Sequence, residues 1–419
     1  MKVIADLHVH SRFSRACSKE LTLENNALWC SKKGVGILGT GDFTHPAWYK
    51  EIKNELVEKE PGLFKLKSGN HPDVRFILST EVSQIYKKNG KTRRIHNIIF
   101  APSFEAVEKI HAWLDEHHFN RKADGRPILG LDSEVLLKAL KEIDKRIYVI
   151  PAHAWTPWFS VFGSYSGFDS LEECFGDMTK EIFAIETGLS SDPLMNRSLS
   201  ALDNIALISN SDAHSPRNFG REANVFEMKK KSYDELFSIL KSRDPKKFLY
   251  TIEFYPEEGK YHADGHADCK FWCEPEETIR LKGICPKCKK QLTVGVLARV
   301  KKLADRARLK KMPSNHVPFK SIVPLQEVIA KSFGVVGTGS KKVQAQYEKL
   351  LEFGNEFFIL LEADLKDIGT FSTPAVVESI RRMRAGNMHI RPGYDGVYGQ
   401  VEFYSENDPP PIAKQTSLL

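Results

Sequence analysis

The 419-residue sequence has no apolar run of about 18 residues, the length that a helix needs to cross a bilayer. Its first residues, MKVIADLHVH, alternate as a strand does and lack the layout of a signal peptide. The excess of basic over acidic residues is also small, because the formal net charge is only +7. That excess permits a polyanionic partner without requiring one. These absences favour a folded cytoplasmic protein.

Cysteine is scarce outside one short segment, which argues against a disulfide scaffold. Four of the seven cysteines fall in CKFWC and CPKC, two close pairs separated by eleven mostly polar residues. This spacing predicts a tetrahedral structural zinc site. His262 and His266 lie just upstream and could replace one thiolate. We expect the zinc ligands to be Cys269, Cys273, Cys285 and Cys288.

Residues 1–250 alternate strand-like and helix-like segments, which predicts a parallel sheet or a (β/α) barrel. Asn89-Gly90 between two alternating runs predicts a β-hairpin. A Cys- and His-rich segment follows at 251–295, and a mainly helical region at 296–405. The Pro-rich, polar tail, 406–419, is expected to be disordered.

Acidic and imidazole side chains stand where the predicted strands end. His8 and His10 share one strand face, because residues i and i+2 point the same way. In a barrel such strand ends converge on one rim, where so many ligands would be unstable without cations between them. Imidazole with carboxylate suits zinc, manganese or iron, and the number of ligands predicts two or three ions. The candidates are His8, His10, Asp42, His45, Glu81, His96, His153, Glu186, Asp212 and His214.

The motifs DLHVHS, TGDFTH, STEVS, RIHNIIF, IPAH and SDAH resemble those of the polymerase-and-histidinol-phosphatase (PHP) superfamily. The resemblance implies an α/β fold with a distorted seven-stranded (β/α) barrel, here followed by a small zinc ribbon and a helical C-terminal domain. It also implies a multinuclear metal centre, with zinc or with Mg²⁺ or Mn²⁺, that activates water to attack phosphorus. The absence of a GxxxxGK[ST] motif agrees with a mechanism without a P-loop.

Carried over by position, the resemblance implies three ion sites, two of which share the carboxylate of Glu81. Many members read TDHN where this chain reads TGDFTH, so it stays open whether Asp42 or His45 is the ligand. Glu81, Asp212 and Asp192 are the candidate catalytic residues, although an aspartate placed as Asp192 is more often a helix cap. The implied sets are His8, His10, Glu81 and Asp212 for the first ion, Glu81, His96 and His153 for the second, and Asp42 and His214 for the third.

Three features outside the rim indicate a nucleic-acid partner. Residues 297–311 carry seven basic residues and one acid on a predicted amphipathic helix. The loop 153–170 is rich in aromatic residues that could wedge into a duplex or stack on a base, or pack onto the barrel. The candidate DNA contacts are Lys301, Lys302, Arg306, Trp155, Trp158 and Phe159. The third feature is Gln415-x-x-Leu418 in the tail, which matches the first half of a sliding-clamp-binding peptide.

The further motifs GFDSLEECFGD, IETGLSSDPLMN and HIRPGYDG resemble a DNA-repair branch of the superfamily. That resemblance implies a nucleoid-associated endonuclease that cuts double-stranded DNA 5′ to deaminated bases (hypoxanthine, uracil, xanthine) or abasic sites. Backbone amides near 165–192 are the expected donors in the lesion pocket. Two alternatives remain, a small-molecule phosphatase and a non-catalytic scaffold bound to the clamp. The first leaves the zinc ribbon without a role, and the second leaves the rim unexplained.

Overall fold

The computed structural model describes residues 1–405 and 408. Residues 1–253 contain the strands β1 (Lys2–Asp6), β2 (Ile37–Gly39), β3 (Leu56–Glu60), β4 (Leu63–Leu66), β5 (Arg75–Ile77), β6 (Ser79–Lys88), β7 (Lys91–Phe100), β8 (Ile128–Leu129), β9 (Tyr148–Pro151), β10 (Ala184–Glu186), β11 (Ala206–Ile208), β12 (Ala223–Glu227) and β13 (Phe248–Glu253). Between them lie the helices α1 (Leu23–Lys33), α2 (Pro46–Glu55), α3 (Phe104–Glu116), α4 (Ser133–Ile143), α5 (Leu171–Phe175), α6 (Pro193–Asn196) and α7 (Tyr233–Ser242).

Three sheets contain the strands that border the site described below: one holds β1, β2 and β5, another holds β6, β7 and β9, and a third holds β10 and β11. β1, β2 and β5 are parallel neighbours, and β6, β7 and β9 are antiparallel neighbours. β10 pairs in parallel with β11. Beyond the strand ends, Ala154 N donates to Glu186 O (2.9 Å), and a parallel bridge joins Val9 to Ala213. The C-terminal ends of the parallel strands therefore face the same side.

The hairpin predicted at Asn89-Gly90 is confirmed. β6 and β7 form a hairpin in which Lys88 pairs with Lys91, and Asn89 and Gly90 both have positive φ (53° and 73°). Such a turn matches the twist of the flanking strands. At the start of α7, the Ser232 side chain caps the helix by accepting a hydrogen bond from Glu235 N.

The core forms on both faces of the strands, because successive side chains alternate in direction. Val3, Ala5 and Leu7 belong to one buried cluster, together with Ile98 and Ile150 from the antiparallel strands. The helices pack their apolar faces against a second, larger cluster. Small buried side chains on β10 and β11 leave room at the strand ends for polar groups.

Residues beyond 253 form the strands β14 (Asp264–His266), β15 (Phe271–Cys273), β16 (Phe319–Ser321), β17 (His389–Arg391) and β18 (Gln400–Glu402), and the helices α8 (Pro275–Arg280), α9 (Val296–Leu303), α10 (Leu325–Ser332), α11 (Lys341–Leu351), α12 (Glu356–Leu361), α13 (Leu365–Phe371) and α14 (Pro374–Ala385). β16 extends the large sheet by pairing in parallel with β13. The loop between β17 and β18 is tied to residues 257–263, for example through Gly393 N to Glu257 O (2.7 Å).

The helix predicted over 297–311 is shorter than expected, because α9 ends at Leu303. The residues that follow are held by partners elsewhere in the chain. Asp305 accepts from Ser200 N (2.9 Å), and Arg308 pairs with Asp192 (2.7 Å). These tertiary contacts override the local helix propensity. Over residues 1–405 and 408, no helix is both long enough and apolar enough to cross a membrane.

Candidate metal centre

Side chains of metal-ligand type meet where the strands end. Within each of three groups, one potential ligand atom per residue lies within 4.8 Å of the others. β1 is followed by two of these residues, β6 and β7 each carry one, β9 is followed by one and β11 by two. The groups are His8, His10 and Glu81; His10, Asp212 and His214; and Glu81, His96 and His153.

Glu81 divides its two oxygens between two of these groups. Its Oε1 lies 2.6 Å from His96 Nδ1 and 3.1 Å from His153 Nε2. Its Oε2 lies 3.3 Å from His10 Nε2 and 3.7 Å from His8 Nε2. Burial alone would raise the pKa of Glu81, but its contacts with His96, Arg126 and His10 hold that pKa well below its ordinary value. The carboxylate is therefore ionised, and its two oxygens face separate histidine groups that could each hold a cation.

Two further carboxylates orient the histidines from behind. Glu186 accepts from His8 Nδ1 (3.1 Å), and Asp42 accepts from His10 Nδ1 (3.1 Å). These contacts leave each Nε2 directed at the centre, an arrangement typical of metal-binding histidines. His8 Nε2 is buried without a hydrogen-bond partner among the described residues. An unpartnered buried nitrogen facing an ionised carboxylate fits a metal ligand well.

Asp42 and His214, which are predicted to share one ion, do not fall in the same group of ligand atoms, and their assignment to an ion stays a prediction. Besides His10, the Asp42 carboxylate accepts from Ser11 N (2.6 Å) and from the hydroxyl of Ser14 (2.8 Å). His214 groups instead with His10 and Asp212. Asp42 lies behind His10 because it follows the neighbouring strand, β2, rather than facing across the rim.

His45, the alternative ligand in the TGDFTH segment, lies apart from the three groups. It is the residue that precedes α2, and its ring stacks on Phe13 with the centroids 4.5 Å apart. Burial lowers the pKa of His45. The neutral, stacked ring is accounted for by packing.

Three site residues have left-handed backbone conformations. Asp42, His153 and Asp212 have φ values of 47°, 29° and 46°. Such conformations cost non-glycine residues on the order of 1–3 kcal/mol each. They occur at the ends of three separate strands, where the chain turns sharply and aims a side chain into the rim. Strain concentrated in this way is typical of functional sites.

The pKa values of His8 and His10 follow from the same contacts. Burial alone would lower their pKa values, but Glu186 and Glu81 raise the pKa of His8 well above its ordinary value. Asp42, Asp212 and Glu81 do the same for His10. Without an ion, both rings are therefore protonated at neutral pH, and a bound cation must displace these protons.

Arg126 is a site residue that the sequence analysis missed. Its Nη1 lies 3.0 Å from Glu81 Oε2. The residue comes from the DGRP segment that follows α3, and a lone arginine in a polar loop has no spacing that would mark it. Only the three-dimensional structure brings it to the rim.

The second metal-type cluster differs from the expected zinc set in one member. His266, Cys269, Cys285 and Cys288 bring ligand atoms within 4.8 Å of one another. Cys273 instead contacts the Thr278 hydroxyl (3.2 Å). The β14–β15 register places Cys273 opposite Asp264 and away from the tight turn, whereas His266 lies beside that turn. This difference in position explains why His266, and not Cys273, falls in the group. The four-thiolate set stays a prediction, and the structure adds His266 as a further candidate ligand beside Cys269, Cys285 and Cys288.

The aromatic candidates for DNA contact differ in exposure. Trp155 is buried, and its indole donates to Asn196 Oδ1 (2.7 Å), so its predicted role in DNA contact is corrected to a role in the core. Trp158 stacks on the half-exposed Tyr165 with the centroids 4.7 Å apart. Phe159 lies against the His96 ring (4.8 Å). The loop 153–170 therefore borders the metal groups.

The remaining candidates have partners within the chain, are exposed, or fall outside the described residues. Asp192 caps α6 by accepting from Met195 N (2.7 Å), so the commoner use of such a residue is observed. Lys301 pairs with Glu276, Arg306 pairs with Asp203, and Lys302 is exposed. Gln415 and Leu418 lie outside the described residues.

The chain is similar to known proteins over part or nearly all of its length. The model of the MJ0043 C-terminal domain family matches residues 324–387. Protein MJ0043 of Methanocaldococcus jannaschii is 32% identical over 259 residues, 60% of this chain, and the chain spans only 31% of that protein's length. YqxK of Bacillus subtilis is 27% identical over 419 residues, covering 96% of this chain and 99% of YqxK.

Two solved structures match almost the entire chain. One is the lesion-specific endonuclease PfuEndoQ from Pyrococcus furiosus, with a TM-score of 0.85, 32% identity, and coverage of 97% of this chain and 96% of that one. The other is endonuclease Q in complex with a 27-mer duplex that has an abasic lesion at the active site, with the same TM-score and identity and coverage of 97% and 98%.

Fold and site together define a mixed α/β protein with histidine- and carboxylate-rich clusters of metal-binding type and a helical C-terminal region. The near-complete match to the two solved structures then identifies the relationship more closely. The chain belongs to the endonuclease Q family.

Proposed function

We propose that this protein is a DNA-repair endonuclease that hydrolyses the phosphodiester bond 5′ to deaminated bases or abasic sites in double-stranded DNA. The observation that carries the proposal is the 32% identical match, over nearly the full chain, to a lesion-specific endonuclease. The related complex that holds an abasic duplex at its active site supports the substrate class. Hypoxanthine, uracil and xanthine are the deaminated bases that we include.

We propose the same organisation for the whole chain as for the PHP-type barrel enzymes. The strands β1, β2, β5–β6, β7, β9, β10 and β11 would form the distorted seven-stranded barrel, which would join the observed pairs β1–β2, β2–β5, β6–β7, β7–β9 and β10–β11. Residues 1–250 would be the catalytic domain, 251–295 the zinc-binding domain and 296–405 the helical DNA-binding domain. Residues 406–419 would be a tail that contacts the sliding clamp through Gln415 and Leu418.

The rim residues fit a cluster of divalent cations such as Zn²⁺, Mg²⁺ or Mn²⁺. Such cations supply Lewis-acid activation of water and stabilise charge that develops at phosphorus. Glu81 would bridge two positions, because its oxygens face separate histidine groups. Glu186 and Asp42 hold the imidazoles of His8 and His10 in fixed orientation, so the chain itself supplies a preorganised site.

DNA contact is proposed for the surface next to this rim. Trp158 and Tyr165 form a stacked aromatic pair on the rim loop, and Tyr165 is 50% exposed. Lys302 offers an exposed cation on α9, a helix that packs near the same loop through Arg299, whose Nε donates to Phe162 O (2.8 Å). Aromatic faces with nearby cations are typical of strand binding.

The test is a nicking assay with duplexes that carry one inosine, uracil, xanthine or abasic site. The protein is incubated with Mn²⁺, Mg²⁺ or Zn²⁺, and the cut position is mapped on a sequencing gel. We expect one cut on the 5′ side of the lesion and none in the undamaged duplex. Turnover of p-nitrophenyl phosphate or histidinol phosphate without any nicking would contradict the proposal and support a small-molecule phosphatase.

A further inference from the structure

Arg126 is the basic residue that contacts a carboxylate of the three metal-type groups. Within residues 1–405 and 408, no other lysine or arginine forms an ion pair with Glu81 or Asp212. The Arg126 side chain keeps about a quarter of its surface exposed (24%), whereas that of Glu81 is fully buried. The guanidinium therefore lies at the boundary between the rim and the solvent from which a substrate arrives.

The backbone around Arg126 is held from both sides. Gly125 N donates to Phe13 O (3.0 Å), and Ser83 N donates to Pro127 O (3.0 Å). Gly125 packs so closely on the rim that a Cβ there would lie 2.4 Å from Asp42 Oδ2. Any residue larger than glycine would push the loop away. The side chain of Arg126 thus starts from a fixed point beside the metal groups.

Arg126 competes with a cation for the same oxygen. Glu81 Oε2 faces Arg126 Nη1 (3.0 Å), His10 Nε2 (3.3 Å) and His8 Nε2 (3.7 Å). A cation held by His8, His10 and Glu81 would engage this oxygen and repel the guanidinium. Arginine cannot lose its charge, so it needs another anion close by. A phosphodiester that approaches the rim carries such a charge, and its two non-bridging oxygens match the guanidinium fork.

We propose that Arg126 is a catalytic residue that donates to the non-bridging oxygens of the phosphodiester bound at this rim. The inference rests on the proposed phosphodiesterase function of the same site. In hydrolysis, the water oxygen forms a bond to phosphorus while the bond from phosphorus to the leaving sugar oxygen breaks. The water loses one proton and the leaving oxygen gains one. Arg126 stabilises the negative charge that accumulates on the non-bridging oxygens.

The first test compares Arg126→Gln, Arg126→Lys and the matched loop control Lys122→Gln, which changes an exposed charge four residues away. For Arg126→Gln we expect the single-turnover cleavage rate to fall about 10²–10³-fold, as for loss of one charge-stabilising donor. Arg126→Lys keeps the charge without the fork and should lie between the two. The metal content should match that of the control.

The second test uses a readout that a purely structural role would leave unchanged. A sulfur is placed at either non-bridging oxygen of the scissile phosphate, and the rate penalty is measured for each stereoisomer. We expect one stereoisomer to slow the unaltered protein strongly and Arg126→Gln only slightly, because the lost contact cannot be lost twice. Equal penalties in both proteins, or a rate loss that follows a loss of bound metal, would overturn the assignment.

A binding measurement separates this inference from the proposed function. Inorganic phosphate is titrated into Mn²⁺-loaded protein by calorimetry, and Arg126→Gln should bind it at least tenfold more weakly than Lys122→Gln does. If the unaltered protein nicks no damaged duplex but shows this difference, the endonuclease proposal fails and the role of Arg126 in phosphate binding stands. If nicking occurs and phosphate affinity is unchanged by Arg126→Gln, the inference about Arg126 fails.

Discussion

If zinc binds at the cluster of His266, Cys269, Cys285 and Cys288, replacing His266 should weaken its binding, whereas replacing Cys273 should not. His266 groups with three cysteines, while Cys273 contacts Thr278. Structural zinc sites contribute about 10–16 kcal/mol in small zinc-finger peptides, so one of four ligands accounts for about 2.5–4 kcal/mol. His266→Ala should therefore weaken zinc binding about 60- to 700-fold, at 1.4 kcal/mol for each factor of ten. Cys273→Ser loses only its contact with Thr278, about 1 kcal/mol or less.

The assay is competition for zinc with a chromophoric chelator, followed by replacement with Co²⁺. We expect the thiolate-to-cobalt absorption of the unaltered protein to have the intensity of three thiolates, and Cys273→Ser to keep both that intensity and the zinc affinity. Zinc loss from Cys273→Ser, together with retention by His266→Ala, would refute the assignment and restore the four-cysteine set. The Cys174→Ser variant, which changes a buried cysteine elsewhere, is the matched control.

Three further predictions concern the rim. Asp42→Asn should weaken cation binding there about 10- to 100-fold, as for other partners that orient a ligand histidine; an unchanged affinity in calorimetry would show that His10 needs no such support. Asp212→Asn should abolish nicking while leaving binding of a lesion duplex intact in gel-shift titrations, with Glu105→Gln on an exposed helix face as the control; loss of both properties would contradict its role as a ligand. Because the pKa values of His8 and His10 lie well above the ordinary value, cation binding should release protons and weaken as the pH falls; calorimetry in buffers of different ionisation heat measures that release, and its absence would contradict the protonated state.

The candidate ligands at the strand ends could be predicted from the sequence, because the patterns that mark them span only a few residues. Spacing of two on a strand predicts that His8 and His10 lie together, and Asn89-Gly90 predicts the hairpin that brings His96 near Glu81. These patterns act over a few residues, where side-chain alternation and turn chemistry dominate. The convergence of distant strand ends then follows from the parallel sheet.

The details that the sequence could not supply depend on contacts between distant segments. The carboxylate of Asp42 accepts hydrogen bonds from Ser11 N and the Ser14 hydroxyl, and no spacing in the sequence reveals these contacts. The position of Arg126 depends on how its loop packs on Asp42. In the cysteine cluster, the register of a three-residue hairpin places His266 nearer than Cys273 to the other three cysteines. Cysteine spacing alone does not encode that register.

The role of Trp155 shows a similar limit for surface residues. An aromatic loop beside a rim predicts stacking on bases, but composition does not separate exposed rings from buried ones. The indole of Trp155 is satisfied by Asn196 inside the core, whereas Trp158 and Tyr165 stack near the surface. Burial is a property of the assembled fold, so the buried member of such a loop is found only in the structure.

The central claim is that imidazoles and carboxylates from separate strands hold a cluster of divalent cations bridged by Glu81. Anomalous diffraction from crystals soaked in Mn²⁺ tests it most directly. We expect strong peaks on both sides of the Glu81 carboxylate, one beside His8 and His10 and another beside His96 and His153. A map without peaks at this rim, with only the thiolate-bound ion visible, would contradict the account.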